Sequence, residues 1–436
     1  MKVVICGAGI AGLALAHRLG TLGCEVVVLE RAPGPRPQGY MIDFFGPGYD
    51  AAEAMGVLPR LRELGYRFEE ATFVDGTGRR RAGLKFDVFG RVMQGRLFSI
   101  LRPDLERGLR EQLPDGVDLR FGTGVTAVHR TAGGVRVTLG DGGTLDADLL
   151  VGADGIHSTV RRLVFGAEHR FLRHLGFHTT AFLFEDARIH RELGGRLCLT
   201  DTVDRQMGLY ALRDGRIATF GVHRAPGPTL PDDAATAVRR EYGSLPWIVP
   251  QVLDRCPPSS EVYYDQVAQV ELPRWSDGRV VLLGDAAYAV SLLAGQGASL
   301  AVAGAYVLAQ QLAGAGSIEA ALEGYERLWR PVAEEKQRVA RAGVQWFLPH
   351  SRIRLLARRV LIGLSRVPGL DRYVARGLAG DALCTREWMA GPGPAQPLTG
   401  ATARPGGPAS SPDARGRTAG TAGTRAPTRA RPTSRR

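Results

Sequence analysis

The sequence predicts an α/β fold: a Rossmann-like domain built on a parallel sheet, an antiparallel sheet inserted into it, and helices towards the C-terminal end. Three stretches carry this prediction. Met1 to Arg31 reads as strand, glycine turn, helix and strand. Asp148 to Arg161 reads as a buried strand, an Asp-Gly turn and a helix. Asp277 to Leu300 reads as a buried strand, a Gly-Asp turn, a glycine-rich loop and a helix. Between the second and third, β-branched and aromatic runs alternate with turn residues, the pattern of an antiparallel sheet.

The first stretch opens on Val3-Val4-Ile5-Cys6, a continuous apolar run suited to a parallel strand buried on both faces. Gly7-Ala8-Gly9-Ile10-Ala11-Gly12 then fits G-x-G-x-x-G, and an Ala/Leu-rich helix follows through Leu22. Gly7 permits the tight turn, Gly9 lets a pyrophosphate approach the backbone, and Gly12 lets helix and strand pack closely. Unpaired N–H groups at the helix start, about Ala11, suit a phosphate. The second strand, Glu25 to Leu29, ends at Glu30 and Arg31, and Glu30 is placed to accept hydrogen bonds from a ribose. Strand before, helix after and acid at this distance separate a dinucleotide site from an ordinary glycine turn.

Further along, Tyr40 to Phe45 reads as a short strand and Tyr49 to Met55 as a short helix. Thr72–Val74 and Leu84–Phe86 flank a polar turn as a hairpin. Leu97 to Leu101 is an apolar strand running into Arg102-Pro103. Pro103 suits a first helical turn. An arginine at a helix start is not there for the dipole, so Arg102 is a candidate for contact with an anion or a ring edge. Val125–Arg130, Val135–Leu139 and Thr144–Leu145 are hairpin strands. They lead to the Asp154-Gly155 turn and a helix capped by Ser158 or its neighbours.

In 166–270, Phe177–Phe184, Met207–Leu212, Ile217–Val222 and Val262–Val270 read as strands. Phe177, Phe182, Phe184, Tyr210 and Phe220 are candidates for a pocket wall, each weighed against plain core. His178 and His223 lack spaced partners and read as structural. In the third stretch, Gly284 and Asp285 end a buried strand. Ser291-Leu292 lies in the loop that reaches Gly295-Gln296-Gly297, and a helix runs from Ala298 with free N–H groups at its start. Ile318 to Val344 is helical, with Leu322, Tyr325 and Trp329 on one face. The basic amphipathic run Ile353 to Leu364 is expected to pack on the body rather than on a membrane. A last helix is expected from Pro368-Gly369 to about Ala379.

The domains expected are therefore 1–165 with 271–345 as the discontinuous Rossmann-like part, 166–270 as a substrate-binding sheet and 346–390 as C-terminal helices. The tail, 391–436, is expected to be disordered, being rich in Pro, Gly, Ala, Thr and Arg without apolar periodicity. The chain has 436 residues, 44% hydrophobic, enough for a large core. Its net charge is +12, but eight Arg and one Asp in the tail account for +7 of it, so a nucleic-acid-binding role is not expected. No stretch is long and apolar enough to span a membrane, and the N-terminus does not read as a secretory signal. Five scattered cysteines without C-x-x-C spacing suit a reducing cytoplasm and suggest no metal site.

Together, these three stretches resemble the class A FAD-dependent aromatic monooxygenases, the para-hydroxybenzoate hydroxylase-like family, over about residues 1 to 385. The glycine motif with Glu30 resembles the ADP site of FAD. Asp154-Gly155-x-x-Ser158-x-x-Arg161 resembles the Asp-Gly motif that touches FAD and NAD(P)H. Gly284-Asp285-Ala-Ala followed by Gly295-Gln296-Gly297 resembles the motif whose Asp binds the flavin-side ribose, and Arg102 matches an arginine that lies near the flavin in many members. The resemblance implies FAD as cofactor, NADPH or NADH as co-substrate, molecular oxygen and a small-molecule substrate. NAD(P)H would reduce the flavin and one oxygen atom would pass to the substrate, the cofactor carrying the hard chemistry. No protein residue is assigned as acid, base or nucleophile. Gly295 to Ala298 are where donors to the reduced flavin should lie. Tyr288 stands where the family usually has His, and Ser291-Leu292 where it commonly has a proline pair.

The aromatic-rich insert favours an aromatic or polyketide-like substrate, with Phe182, Tyr210, Phe220 and Leu292 as pocket candidates. The Arg-rich, Lys-poor chain resembles those of high-GC bacteria, which fits tailoring or inactivation of a secondary metabolite. The alternative is a flavin-binding dehydrogenase or another non-oxygenating flavoprotein on the same fold.

Overall fold

The structure, a computed structural model, describes residues 1–364 except 69, 87–89, 91–92 and 293–294. It opens with β1 (Lys2–Cys6), α1 (Ile10–Thr21) and β2 (Glu25–Leu29) as a βαβ unit. There follow β3 (Met41–Phe45), α2 (Pro47–Ala54), α3 (Leu58–Leu64), β4 (Glu70–Val74), β5 (Arg80–Lys85), β6 (Leu97–Leu101), α4 (Arg102–Glu111) and β7 (Val117–Arg120). Next come β8 (Val125–Arg130), β9 (Val135–Leu139), β10 (Thr144–Ala147), β11 (Leu149–Gly152) and α5 (Thr159–Val164). The insert supplies β12 (Leu172–Ala181), β13 (Leu183–Glu185), α6 (Ala187–Leu193), β14 (Leu197–Thr200), β15 (Arg205–Ala211), β16 (Arg216–Arg224), α7 (Ala234–Tyr242), α8 (Val249–Asp254) and β17 (Tyr263–Val270). The chain then returns through β18 (Ser276–Asp277), β19 (Val280–Leu282), α9 (Asp285–Tyr288), α10 (Gly297–Gly314), α11 (Ile318–Phe347) and α12 (Arg352–Leu364). The last expected helix, the tail and Cys384 lie outside the described residues.

The six-stranded sheet runs β18-β19-β11-β1-β2-β7. Its β11, β1, β2 and β7 are parallel, with Val3 beside both Leu149 and Val26. Val3, Val4 and Ile5 are fully buried, as the continuous apolar run requires. The three motif turns all follow strands of this sheet, β1, β11 and β19, which are neighbours, so the three turns emerge side by side. Ligands of open α/β sheets bind at this edge, beyond the carboxyl ends of the strands. α10 packs against α1. Its small residues permit close approach: a Cβ on Gly304 would run into the Tyr288 hydroxyl and come within 2.7 Å of the Trp329 indole nitrogen.

The large antiparallel sheet is ordered β17-β12-β16-β15-β14-β4-β5, with β13 beside β16. β14, a short Leu-Cys-Leu-Thr run not foreseen from the sequence, pairs in parallel with β4. The sheet thus takes in the early β4–β5 hairpin from outside 166–270. Alternation gives it two faces. Met207, Leu209 and Ile217 are buried in a cluster with residues of α7 and α8. Gln206, Tyr210 and Phe220, on the other face, line a cavity.

Phe182 falls on the helix-covered side. It sits between β12 and β13, fully buried, packed with Phe184, Ile189 and Leu253, and does not line the cavity. Its backbone is pinned there by Thr219, whose N–H donates to the Phe182 carbonyl at 2.9 Å and whose hydroxyl accepts from the Phe182 N–H at 2.9 Å. Phe184 belongs to the same cluster, and Phe177 packs with Val222, Val267 and Leu348. His178 and His223 are buried in the sheet, as structural imidazoles: His223 hydrogen-bonds the hydroxyls of Tyr242 and Tyr264 at 3.0 and 3.1 Å. Burial pushes its pKa down to about 4.

The amphipathic α12 packs on the body. Leu355 and Ile362 are buried, and Arg358 and Arg359 both pair with the buried carboxylate of Asp201.

Candidate functional site

The glycine turn shows why each glycine is needed. Gly7 has φ +105°, and a Cβ there would strike the Ala153 carbonyl; a Cβ on Gly12 would strike the Gly7 carbonyl. Gly9 differs: its Cβ position meets only the Glu106 Oε1, at 3.4 Å. α1 starts with no side-chain cap, and Gly9, Ile10 and Ala11 at its start line a cavity. Glu30 spans the turn, accepting the Ala8 N–H at 3.0 Å and the Ala32 N–H at 2.8 Å. Arg31 is exposed beside it.

The Asp-Gly turn is self-contained. Asp154 accepts from the Ser158 hydroxyl and from the N–H groups of Thr159 at 2.7 Å and Val160 at 3.1 Å, while Ser158 caps α5 by accepting the Arg161 N–H at 2.9 Å. Arg161 is fully buried and donates to the carbonyls of Ala286 and Ile156. This arginine thereby ties the Asp-Gly turn to the Gly-Asp turn, and the Asp154 carboxylate is engaged within its own motif.

At the third turn Gly284 takes φ +63°, and a Cβ there would lie 2.8 Å from the Ala11 Cβ. Gly284 thus seats the third turn against the first. Asp285 is open to the cavity; its surroundings push its carboxyl up by removing water, with Arg102 opposing. α10 starts at Gly297 behind Gln296, again without a side-chain cap. Ser291 holds φ +92°, a left-handed conformation uncommon outside glycine, at the loop where the family commonly has proline. Tyr288 is buried, its ring 4.7 Å from Trp275 and its hydroxyl 3.4 Å from that of Tyr325. The departure at Tyr288 is thus a packing residue, off the cavity wall.

These segments enclose one cavity of about 1630 Å³. Gly7, Gly9, Ala11, Glu30, Arg31, Arg102, Asp154, Asp285, Gly295, Gln296, Gly297 and Ala298 line it, together with Tyr210, Phe220 and Leu292; Gly12, Gly284 and Phe182 do not. Two uncapped helix starts, α1 and α10, therefore face a single space. That suits a ligand with an anionic middle and an end that gains negative charge, and FAD fits this description.

Sequence reasoning missed four features in or beside this cavity. Glu106, one turn after Arg102, pairs with it at 2.7 Å. The rings of Tyr40 and Tyr263 lie 5.7 Å apart, tilted by 47°, beside Arg102. His157 bridges Glu168 and Asp265, each at 3.1 Å, and Asp265 lifts its pKa, with Glu168, to about 9. Asp43, on β3, also lines the cavity. Of these, only the i, i+4 spacing of Arg102 and Glu106 was a usable signal.

Comparison with known proteins agrees with this geometry. A family profile described as "FAD binding domain" matches residues 1–340. An uncharacterized protein of Mycobacterium tuberculosis is 34% identical over 320 residues, 72% of this chain and 85% of that one. The FAD-dependent monooxygenase asL6 of Sarocladium schorii is 33% identical over 375 residues, 80% of this chain and 88% of that one. The crystal structure of tetracycline destructase Tet(51) superposes with a TM-score of 0.73 at 25% identity, covering 87% of this chain and 98% of that one. The chain belongs to the FAD-binding family of class A flavin-dependent monooxygenases, and it is an FAD-dependent monooxygenase.

Proposed function

We propose that this monooxygenase uses NAD(P)H and molecular oxygen to oxygenate an aromatic or polyketide-like small molecule, in the tailoring or inactivation of a secondary metabolite. The observation that carries this reading is the continuity of the cavity. From the glycine turns it runs on to a wall formed by Phe73, Phe86, Tyr210 and Phe220, an aromatic surface able to bury a fused-ring compound. The resemblance to a tetracycline destructase, a name that denotes action on a fused-ring polyketide, supports the same class.

We infer that the pyrophosphate of FAD lies over Gly9 at the start of α1, with Glu30 on the adenosine ribose, Asp285 on the ribityl side and Gly295 to Ala298 at the flavin. Bound FAD supplies the redox chemistry, taking reducing equivalents from NAD(P)H and reacting with oxygen. The protein's part is to hold the ring, to offer N–H groups of α10 to the negative charge gained on reduction, and to exclude water. On this reading 1–165 and 271–345 bind FAD, and 166–270, extended by β4 and β5, binds substrate.

The test is to supply aromatic and polyketide substrates with labelled oxygen gas and compare NADPH oxidised with oxygen atoms inserted. Insertion of one labelled atom into a fused-ring substrate is the expected result. NADPH oxidation yielding only hydrogen peroxide across the panel would sink the substrate class.

A further inference from the structure

After α9 the chain runs Ala289-Val290-Ser291-Leu292, and all four residues line the cavity on the approach to α10. Ser291 is buried there and holds φ +92°. Glycine takes that region freely, whereas other residues keep it only when the surrounding structure holds them in it. No proline between Asp285 and Gly297 stiffens the loop. Contacts from other elements supply the constraint.

Two glutamine side chains make those contacts. Gln269, on β17, is fully buried, and Gln337, on α11, nearly so. A glutamine amide has two N–H donors, and these two amides divide theirs in the same way. Gln269 donates to the Gln337 carbonyl at 2.9 Å and to the Val290 carbonyl at 3.0 Å. Gln337 donates to the Val270 carbonyl at 2.8 Å and to the Ala289 carbonyl at 3.0 Å. One hydrogen bond from each amide ties β17 to α11. The other reaches the loop, at the two residues just before Ser291. The Val270 N–H also donates to the Ala289 carbonyl, at 3.1 Å. Arg341 sets the direction of the Gln269 amide: its guanidinium donates to Oε1 at 2.6 Å and to Glu271 at 3.1 Å, which turns the NH2 end to the loop. A strand–helix junction by itself is served by apolar side chains, and buried amides are costly unless their donors are used.

We propose that Gln269 and Gln337 are positioning residues, a pair of buried amides that pin the Ala289 and Val290 carbonyls and thereby keep Ser291 in its left-handed conformation on the cavity wall. The Val290 carbonyl and the Ser291 N–H share one peptide plane, so pinning that carbonyl fixes the plane from which φ of Ser291 is set. Past Ser291, the Gly295 N–H donates to the Leu292 carbonyl at 3.1 Å and delivers the chain to α10. The proposal rests on the reading that Gly295 to Ala298 meet the flavin: the clamp decides where this wall stands against the ring.

The experiment uses the full chain and needs no substrate. Gln269→Met and Gln337→Met remove the donors at similar volume. Amide hydrogen exchange of residues 289–292 is followed in the FAD-loaded protein, and FAD affinity by titration of the apoprotein. Each variant is expected to exchange about five-fold or more faster in this loop, to bind FAD more weakly and to shift the flavin absorbance. Adding Ser291→Gly to either variant is expected to recover most of the lost protection and affinity, because glycine accepts the positive φ unaided. A role confined to tying β17 to α11 predicts no recovery. Should the methionine variants fail to fold, Gln269→Glu serves, since it keeps the acceptor for Arg341 and loses the donor to Val290. Wild-type exchange and FAD affinity in the variants, or no recovery with glycine, would overturn the assignment. The monooxygenase reading fails separately, by absence of labelled oxygen in products, so the two failures are distinguishable.

Discussion

Arg102 and Glu106 close an ion pair of 2.7 Å across one turn of α4, directly below the open side of Gly9. The arginine is thus held rather than free, and its carboxylate partner comes within 3.4 Å of a Cβ position on Gly9. Burial pushes the Glu106 carboxyl up and Arg102 pulls it back, so the two side chains act as a unit.

Arg102→Ala is therefore expected to have two effects. Flavin reduction by NADPH should slow about ten-fold, for a loss of about 1.4 kcal/mol of transition-state stabilisation. Glu106 is also left as an uncompensated, largely buried carboxylate, which lowers stability. The double variant Arg102→Ala/Glu106→Gln separates the two: it should recover most of the lost melting temperature and none of the lost rate. Stopped-flow reduction and thermal melts read the outcome, and full recovery of the rate would refute a role for Arg102 at the flavin.

Gly9 and Gly12 should fail differently. A side chain on Gly12 collides with the Gly7 carbonyl, so Gly12→Val is expected to destabilise the βαβ unit itself and lower both flavin content and melting temperature. The Gly9 position has room in the protein alone, so Gly9→Asp should lose FAD while the apoprotein melts near the wild-type apoprotein. Flavin absorbance after purification, with apoprotein melts, checks both. Stoichiometric flavin in Gly9→Asp would contradict the proposed pyrophosphate site.

Asp285 opens on the cavity, whereas Asp154 is bound to Ser158, Thr159 and Val160. Asp285→Ala should weaken FAD binding by about ten-fold or more, as loss of a charge-assisted hydrogen bond of about 1.5–3 kcal/mol implies. Asp154→Ala should instead cost about 1–2 kcal/mol of stability through loss of a helix-start acceptor, with the smaller effect on flavin affinity. Flavin titration of the two apoproteins, beside denaturant melts, decides the ranking.

His157 predicts a pH dependence. Its folded pKa, about 9, lies above the ordinary histidine value of 6.5 because Asp265 and Glu168 favour the imidazolium. The bridge therefore stabilises the fold fully below pH ~6.5, and that contribution fades as pH rises through about 9. The difference in melting temperature between wild type and His157→Gln should be largest near pH 6 and shrink towards pH 10. A difference that is flat or grows with pH would show that the imidazolium bridge is not formed.

The parts legible in the chain are those whose physics is local. Gly12 against the Gly7 carbonyl, Glu30 at the end of β2, the Ser158 cap and the strand before Asp285 each follow from a constraint legible in the local sequence: a carbonyl that leaves no room for a Cβ, an N–H that needs an acceptor, an apolar run that must be covered on both faces. Each of these has its expected place in the structure. Which way a side chain faces, and what meets it there, came only with the tertiary structure. Phe182 turns from the cavity because the chain breaks between β12 and β13 and Thr219 pins it on the helix-covered side. The aromatic wall draws Phe73 and Phe86 from a hairpin that joins the inserted sheet through the parallel β4–β14 pairing. His157 with Asp265, and Arg358 with Asp201, pair across more than a hundred residues of chain. No periodicity signals such contacts, because they are set by how sheets and helices stack and not by the spacing of residues along the backbone.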